Sequence, residues 1–185
     1  MRLLALIAAL LVAAPAFAAA PAWTVNKPAS KLGFTGAMSG QSFNGAFRRW
    51  DARIQFDPKA LNQSSVVAVI ETGSAVTGDQ TRDEALPTAD WFSVAAFPRA
   101  TFQANQFKDL GGGRYQAVGT LTIRNVKRPV ILPFQLTING NQATMHGSLT
   151  IDRRAFGVGQ GQFSTGDTVA TNVRIDVAIA ATRAP

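Results

Sequence analysis

The sequence has 185 residues, 46% of them hydrophobic, with no cysteine and a single histidine. The lack of cysteine excludes a disulfide framework, and one histidine is a poor basis for catalytic zinc, which usually takes three ligands rich in histidine or cysteine. The 18 basic residues outnumber the 11 acidic ones. They are scattered, which argues against a nucleic-acid partner and fits solubility or attraction to an anionic membrane surface.

The first twenty residues have the pattern of a secretory signal peptide. Arg2 supplies a positive charge, residues 3–14 are an unbroken apolar run, and an Ala-x-Ala cleavage signal ends at Ala18 or Ala20. The alternative is an N-terminal membrane anchor, but the apolar run is shorter than the roughly 20 residues that span a bilayer. We therefore expect a signal peptide over residues 1–20, export to the bacterial periplasm, and one mature domain over residues 21–185.

The mature sequence alternates with period two, which predicts strands. Phe43 and Phe47 share one parity, whereas Trp50 and the apolar residues after it follow the opposite parity. The reversal falls at Arg48-Arg49. We predict a β-bulge or a bend there, because one extra residue exchanges the two faces of a strand.

The later strands follow at short intervals. They are predicted at residues 65–70, 100–107, 115–124, 130–138, 143–151 and 173–179. Asn139-Gly140 indicates a hairpin, because both residue types tolerate positive φ. Eight antiparallel strands either close into a barrel or stack as two sheets, and an up-and-down barrel of this size can enclose one small ligand.

One segment interrupts the strands. Residues 77–98 predict a short helical insert, in which Thr81 and Glu84 fit a capping box. Asp90 is a candidate cap for a second turn that carries the next two aromatic residues. The predicted fold is therefore all-β, an eight-stranded antiparallel lipocalin-like barrel with a short helical insert.

The sequence favours binding over catalysis. His146 shares its parity with polar Thr144 and Ser148, so the strand register turns it away from the apolar face. No serine has the surroundings of an activated nucleophile. Most acidic residues lie at turns or helix starts, where capping and solvation explain them, although a hydrolase with paired carboxylates is an alternative. We predict no catalytic residue and no metal site.

The aromatic residues indicate an apolar interior. The chain has 12 Phe and 3 Trp but only 1 Tyr, so few of its aromatic side chains carry a hydroxyl. A barrel lined by such residues would suit an alkyl or isoprenoid chain, because each buried methylene contributes roughly 0.8 kcal/mol. The same residues could equally pack against one another, and composition alone leaves the choice between a cavity and a filled core open.

Several ordered segments resemble the motifs of the YceI family. The first is Leu86-Pro-Thr-Ala-Asp-Trp-Phe-Ser-Val-Ala-Ala-Phe-Pro98, the second Gly119-Thr-Leu-Thr-Ile-Arg-Asn-Val-Lys-Arg-Pro-Val130, and the third Ile151-Asp-Arg-Arg-Ala-Phe-Gly-Val158. Residues 43–58, and Thr77-Gly-Asp79 with Arg82-Asp83, match in order and spacing. Asn125 stands where a glycine is common in the family, and it can also adopt positive φ.

The resemblance implies a periplasmic carrier rather than an enzyme, with a polyisoprenoid or an isoprenoid quinone inside the barrel as ligand and no further cofactor. An enzyme of lipid or isoprenoid metabolism using the same pocket is the alternative. An outer-membrane barrel is a third, but one Tyr and the terminus Thr182-Arg-Ala-Pro185 do not fit aromatic girdles. Contact with a membrane or a cytochrome b561-type protein, and a homodimer, are interactions that the resemblance leaves open.

Sixteen residues are the predicted ligand contacts. The tail is expected along the barrel axis, Trp91 and Phe92 across one mouth, and Arg153 or Arg154 at a polar headgroup, although an ordinary surface arginine is an equal alternative. The set is Phe34, Phe43, Phe47, Ile54, Trp91, Phe92, Phe102, Leu121, Ile123, Leu132, Phe134, Met145, Leu149, Arg153, Arg154 and Phe156.

Overall fold

The computed structural model describes residues 19–185. The predicted signal peptide, apart from its last two residues, lies outside them, so the choice of cleavage site stays a prediction. The described residues form eleven strands and one short α-helix, α1 (Gln80–Ala85), which lies between β6 and β7. The strands are β1 (Ala22–Val25), β2 (Lys31–Met38), β3 (Gln41–Phe47), β4 (Trp50–Gln55), β5 (Ser65–Glu71), β6 (Ala75–Val76), β7 (Arg99–Asp109), β8 (Arg114–Ile123), β9 (Val126–Asn139), β10 (Gln142–Asp152) and β11 (Asn172–Arg183).

The eleven strands make a closed barrel of eight, because three barrel strands are interrupted. β1 continues into β2, β3 into β4, and β5 into β6. The two segments of each such barrel strand pair with the same neighbouring barrel strand. All pairings are antiparallel, and β11 closes the ring by pairing with β10 on one side and with β1 and β2 on the other. The predicted eight-stranded antiparallel barrel is confirmed.

Two irregularities set which side chains face inward. Arg48 and Arg49 form a bend between β3 and β4, as predicted, so that Phe47 and Trp50 both face the interior although their parities differ. A second irregularity, absent from the sequence prediction, skips Asn105 in the pairing of β7 with β8. It reverses the parity of β7 and turns Phe107 inward.

The two ends of the barrel differ in their connections. At one end, here called the turn end, the strands are joined through residues 56–64, 110–113 and 140–141. At the other, the loop end, the longer segments 72–98 and 153–171 cover the barrel. The hairpin predicted from Asn139-Gly140 is present at the turn end. Within residues 19–185, no helix is long and apolar enough to cross a membrane.

The helical insert is smaller than predicted. Asp79, rather than the predicted Thr81, caps α1, and its carboxylate accepts the backbone N–H of Arg82 at 3.0 Å. Asp90 caps no second helix, because α1 ends at Ala85 and turns follow it. The carbonyl of Asp90 instead accepts the N–H groups of Gly159 and Gln160, at 2.7 and 2.8 Å. The insert is therefore joined to segment 153–171 by backbone hydrogen bonds.

Candidate functional site

The barrel interior contains a cavity of about 290 Å³. This volume lies near the lower end of the roughly 300–1,000 Å³ typical of small-molecule pockets. A cavity of about 150 Å³ is known to hold benzene, so the space takes a tail of roughly a dozen carbon atoms. Apart from Thr77, Arg82 and Arg153, the cavity wall formed by residues 19–185 is apolar. The interior is therefore not filled by its own side chains.

Inward glycines help to keep the centre of the barrel open. Gly36 on β2 lies opposite Phe43 on β3, and a β-carbon at position 36 would be 2.8 Å from Cζ of that ring. Gly147 on β10 lies opposite Phe134 on β9, and there a β-carbon would be 3.0 Å from Cβ of the phenylalanine. The Phe43 ring thus lies over the neighbouring strand at Gly36, and at Gly147 the glycine leaves room that a larger residue would fill.

An aromatic cluster closes the turn end. The ring of Phe56 lies 5.3 Å from the ring of Phe107 and 5.5 Å from that of Tyr115, both in edge-to-face geometry. The indole N–H of Trp23 donates to the carbonyl of Phe56 at 2.9 Å, which fixes the position of this central residue. Burial raises the pKa of Tyr115 above its usual value. The cavity therefore ends against this cluster.

The cavity approaches solvent at the loop end, between the β2–β3 hairpin and α1. Met38 lines the cavity and is 39% exposed, although it is a large apolar side chain. Arg82 also lines the cavity, and its guanidinium carbon lies 4.6 Å above the centre of the Phe43 ring. Leu86, just beyond α1, completes this edge. We call Met38, Phe43, Arg82 and Leu86 the portal.

The family of the protein follows from its sequence match. The YceI-like domain matches residues 23–181, which is nearly the whole described barrel. The chain belongs to the YceI-like family. A UPF0312 protein of Yersinia pestis (strain Pestoides F) is 38% identical over 97 residues, which are 52% of this chain and 50% of that protein. The chain thus spans about half the length of the curated relatives it matches.

Solved structures of YceI-like proteins share the fold. BcnA of Burkholderia cenocepacia is similar with a TM-score of 0.83 and 31% identity, over 86% of this chain and 100% of that one. A polyisoprenoid binding domain from Saccharophagus degradans has a TM-score of 0.69 and 16% identity, over 89% of this chain and 99% of the domain. At that identity the second similarity concerns the fold alone.

Most of the predicted ligand contacts line the cavity of the barrel. Fourteen of the sixteen lie in its wall, and their part in ligand binding stays a prediction. Phe156 does not line the cavity, because it is 2% exposed and packs behind the wall in a cluster with Ile70 and Leu121. Trp91 and Phe92 lie at the loop end, where segment 72–98 covers the barrel.

Arg153 is neither an ordinary surface arginine nor free to bind a headgroup. Its side chain is 3% exposed. Its five N–H groups donate to backbone carbonyls of the segment that follows β10. The acceptors, at 2.6 to 3.0 Å, are Val158, Gly159, Phe163, Val169 and Ala170. Burial lowers the pKa of Arg153, while the carbonyl oxygens accept a hydrogen bond from each N–H of its guanidinium. This residue therefore organises segment 153–171.

Arg154 is an exposed residue outside the cavity. Its guanidinium pairs with the Asp152 carboxylate at 2.7 Å, and that interaction raises the pKa of the arginine and lowers that of the aspartate. Arg154 therefore fits the alternative of an ordinary surface arginine, and its contact with a headgroup stays a prediction. The sequence does not show which of the two arginines points inward. Strand β10 ends at Asp152, so its register no longer predicts side-chain direction, and the turn that follows sets it.

Two polar residues of the cavity wall are absent from the sequence prediction. Thr77 and Arg82 lie in the wall, and their only signal in the sequence is the Thr77-Gly-Asp79 and Arg82-Asp83 motif. The Thr77 hydroxyl donates to Asp83 at 2.7 Å, and this hydrogen bond holds the pKa of Asp83 below its usual value. The Arg82 Nε–H donates to the same hydroxyl oxygen at 3.3 Å.

The single histidine of the chain lies outside the cavity. His146 is exposed on β10, with its side chain on the outer face as the register predicted. Within residues 19–185, no group of three or more His, Cys, Asp or Glu side chains is placed to hold a metal ion. The arrangement in the cavity offers apolar contact along its length and polar contact at the portal.

Proposed function

We propose that the protein is a periplasmic carrier that holds a long-chain apolar lipid, a polyisoprenoid or an isoprenoid quinone, inside its barrel. The observation that supports this most is the apolar cavity that runs from the aromatic cluster at the turn end to the portal. Membership of the YceI-like family supports it as well. So does the shared fold with the domain from Saccharophagus degradans, which is described as polyisoprenoid binding.

Apolar contact is the main source of binding free energy in such a complex. Ten buried methylenes contribute about 8 kcal/mol before the costs of ordering the tail and of association. A dissociation constant of about 1 μM requires the same free energy after those costs, so contacts with the aromatic side chains and with further methylenes have to offset them. The ligand therefore needs a flexible apolar tail, and the carrier needs no hydrogen bond along most of the cavity.

A carrier accounts for the cavity better than an enzyme acting on the same lipid. Acid–base catalysis requires a titratable group within hydrogen-bond reach of the reacting atoms. Of the described residues that line the cavity, only Arg82 and Arg153 have ionisable side chains, and arginine stays protonated at physiological pH. The carboxylates near the portal, Asp79 and Asp83, instead accept backbone N–H groups.

The test compares a substitution that fills the cavity with a matched substitution on the outer surface of the barrel. Ala68 on β5 lines the cavity, whereas its neighbour Val67 faces outward and is 37% exposed. We expect Ala68→Phe to abolish retention of a farnesyl-tailed lipid, measured by native mass spectrometry, while Val67→Phe retains it. Equal retention by the two variants, or no lipid bound by the wild-type protein after purification and lipid addition, would contradict the proposal.

A further inference from the structure

We propose that Arg82 is the headgroup contact of this cavity and that the headgroup it selects is a neutral carbonyl group, as in a quinone, an ester or an amide. The inference rests on the proposed function, because it assumes that a lipid tail occupies the barrel. It goes beyond that function by assigning the residue, the orientation of the ligand and the chemical class of its head.

Among the residues that the structure describes, two arginines touch the cavity, and one of them has N–H donors that are not already used. All five N–H groups of Arg153 already donate to backbone carbonyls. Arg82 uses its Nε–H for the Thr77 hydroxyl, at 3.3 Å, and its Nη1 lies 3.6 Å from the Asp79 carboxylate, beyond hydrogen-bond distance. Its two terminal nitrogens have no other hydrogen-bond partner among residues 19–185. A headgroup acceptor can therefore reach Arg82 without breaking the fold.

The position of Arg82 is suited to this contact. Its side chain is 28% exposed, and it lines the cavity beside the 39% exposed Met38. The Phe43 ring lies 4.6 Å from the guanidinium carbon, and this cation–π contact helps to hold the charged group at the edge of the cavity. A lipid whose head rests on Arg82 places its tail toward Phe56 and the aromatic cluster at the turn end. The ligand thus enters tail first, and its head stays at the portal.

The charges around Arg82 favour a neutral head over a phosphate. Asp79 lies within 4 Å of the guanidinium, and Asp83 is joined to it through the Thr77 hydroxyl. One positive and two negative charges leave this cluster with a net negative charge. A phosphate or carboxylate headgroup would meet these carboxylates, whereas a carbonyl oxygen needs only an N–H donor. The same cluster therefore accepts carbonyl oxygen and disfavours anions.

The experiment compares three ligands that share one tail. The probes are 2-farnesyl-1,4-benzoquinone, farnesyl phosphate and the hydrocarbon farnesene. All three tryptophans of the chain line the cavity, so quinone binding is followed by quenching of tryptophan fluorescence and the other two probes by competition. The proteins are wild type, Arg82→Met, Arg82→Lys and the exposed control Arg154→Met, each checked for an unchanged melting temperature.

We expect the wild-type protein to bind the quinone at least about tenfold more tightly than farnesyl phosphate, because the carboxylates of Asp79 and Asp83 repel the phosphate. The hydrogen bond from Arg82 to the quinone is also worth about tenfold, since its donor is charged. Arg82→Met should lose about tenfold in quinone affinity and leave farnesene affinity unchanged. Arg82→Lys should lose less, and Arg154→Met nothing. If Arg82→Met fails to fold, Arg82→Lys alone decides, because a lysine offers a single point of contact and still weakens the bidentate geometry.

The possible failures are distinguishable. If farnesene and the quinone bind and Arg82→Met weakens neither, the assignment of Arg82 is overturned and the carrier function stands. If farnesyl phosphate binds more tightly than the quinone, the neutral headgroup is overturned. If no probe binds to the wild-type protein, both the carrier function and the headgroup contact are overturned.

Discussion

The ring of Phe34 on β2 occupies the space in which a side chain at Gly45 of β3 would begin. The two residues are direct partners in the β2–β3 ladder, and a β-carbon at position 45 would be 2.6 Å from both Cε1 and Cε2 of the ring. Phe34 therefore lies against the neighbouring strand. This glycine is one reason why an interior rich in phenylalanine still contains an open cavity.

Gly45→Ala should lower both stability and lipid binding. The added methyl group forces Phe34 toward the barrel axis, and such overpacking costs about 1–3 kcal/mol in the free energy of unfolding. Urea denaturation measures that loss, and native mass spectrometry measures retention of a farnesyl-tailed lipid. Gly33→Ala is the matched control on β2, because a β-carbon there would come no closer than 3.4 Å to any atom. Equal effects of the two substitutions would refute the role of the Phe34–Gly45 contact.

Arg153→Met should unfold the loop end or destabilise the whole barrel. It removes donors from carbonyls of Val158 and Val169, among others, in a buried position. Each buried carbonyl left without a donor costs about 1–3 kcal/mol. Arg153→Lys should recover only part of this, because lysine has three donors rather than five. The readout is the melting temperature, with Arg154→Met as the control that leaves it unchanged. A melting temperature of Arg153→Met equal to that of the wild type would contradict the assigned role.

The ionised form of Asp83 should stabilise segment 72–98 at neutral pH. Its pKa is lowered by the hydrogen bond from Thr77 and by the backbone N–H groups of Thr77 and Gly78. A lowered pKa in the folded state means that this contribution is complete above the unfolded value of about 3.9 and is lost as the pH falls through the lower folded value. The stability difference between wild type and Asp83→Asn should therefore be constant above about pH 5 and shrink in acid.

Melting temperatures measured across this pH range check the prediction for Asp83. Asp167→Asn, at an exposed position in segment 153–171, serves as the control for a general effect of lost charge. A difference between wild type and Asp83→Asn that grows toward low pH would have the wrong sign and would rule out the ionised group as the stabilising form.

Asn125→Gly should stabilise the β8–β9 turn or leave it unchanged, whereas Asn125→Val should destabilise it. Asn125 has φ of 59° and its neighbour Arg124 has φ of 50°, so the turn needs two residues in the left-handed region. That region costs most residues about 1–2 kcal/mol, less for asparagine and least for glycine. Urea midpoints of the three proteins should follow the order Gly, Asn, Val, and a valine variant as stable as the wild type would disprove the strain.

Local sequence pattern determined much of this barrel. Alternation with period two defines which side chains of a strand share a face, so residues such as Phe102, Leu121 and Leu132 could be assigned to the interior before any pairing was known. The reversal at Arg48-Arg49 was readable for the same reason, because it changes the parity of the apolar residues on either side. Residue type alone predicts positive φ at turn positions such as Asn125 and Gly140.

Where that alternation ends, only the tertiary structure decided in which direction the side chains point. The skipped residue Asn105 was not predicted from the sequence. The direction of the Arg153 side chain depends on backbone carbonyls of segment 153–171, whereas Arg154 pairs with the carboxylate of Asp152. Arg82 reaches the cavity because segment 72–98 folds across the barrel end beside Phe43, a residue far away in the chain. Whether inward side chains meet or leave a cavity depends likewise on closure of all eight barrel strands, since packing is a property of the whole enclosed volume and not of one strand.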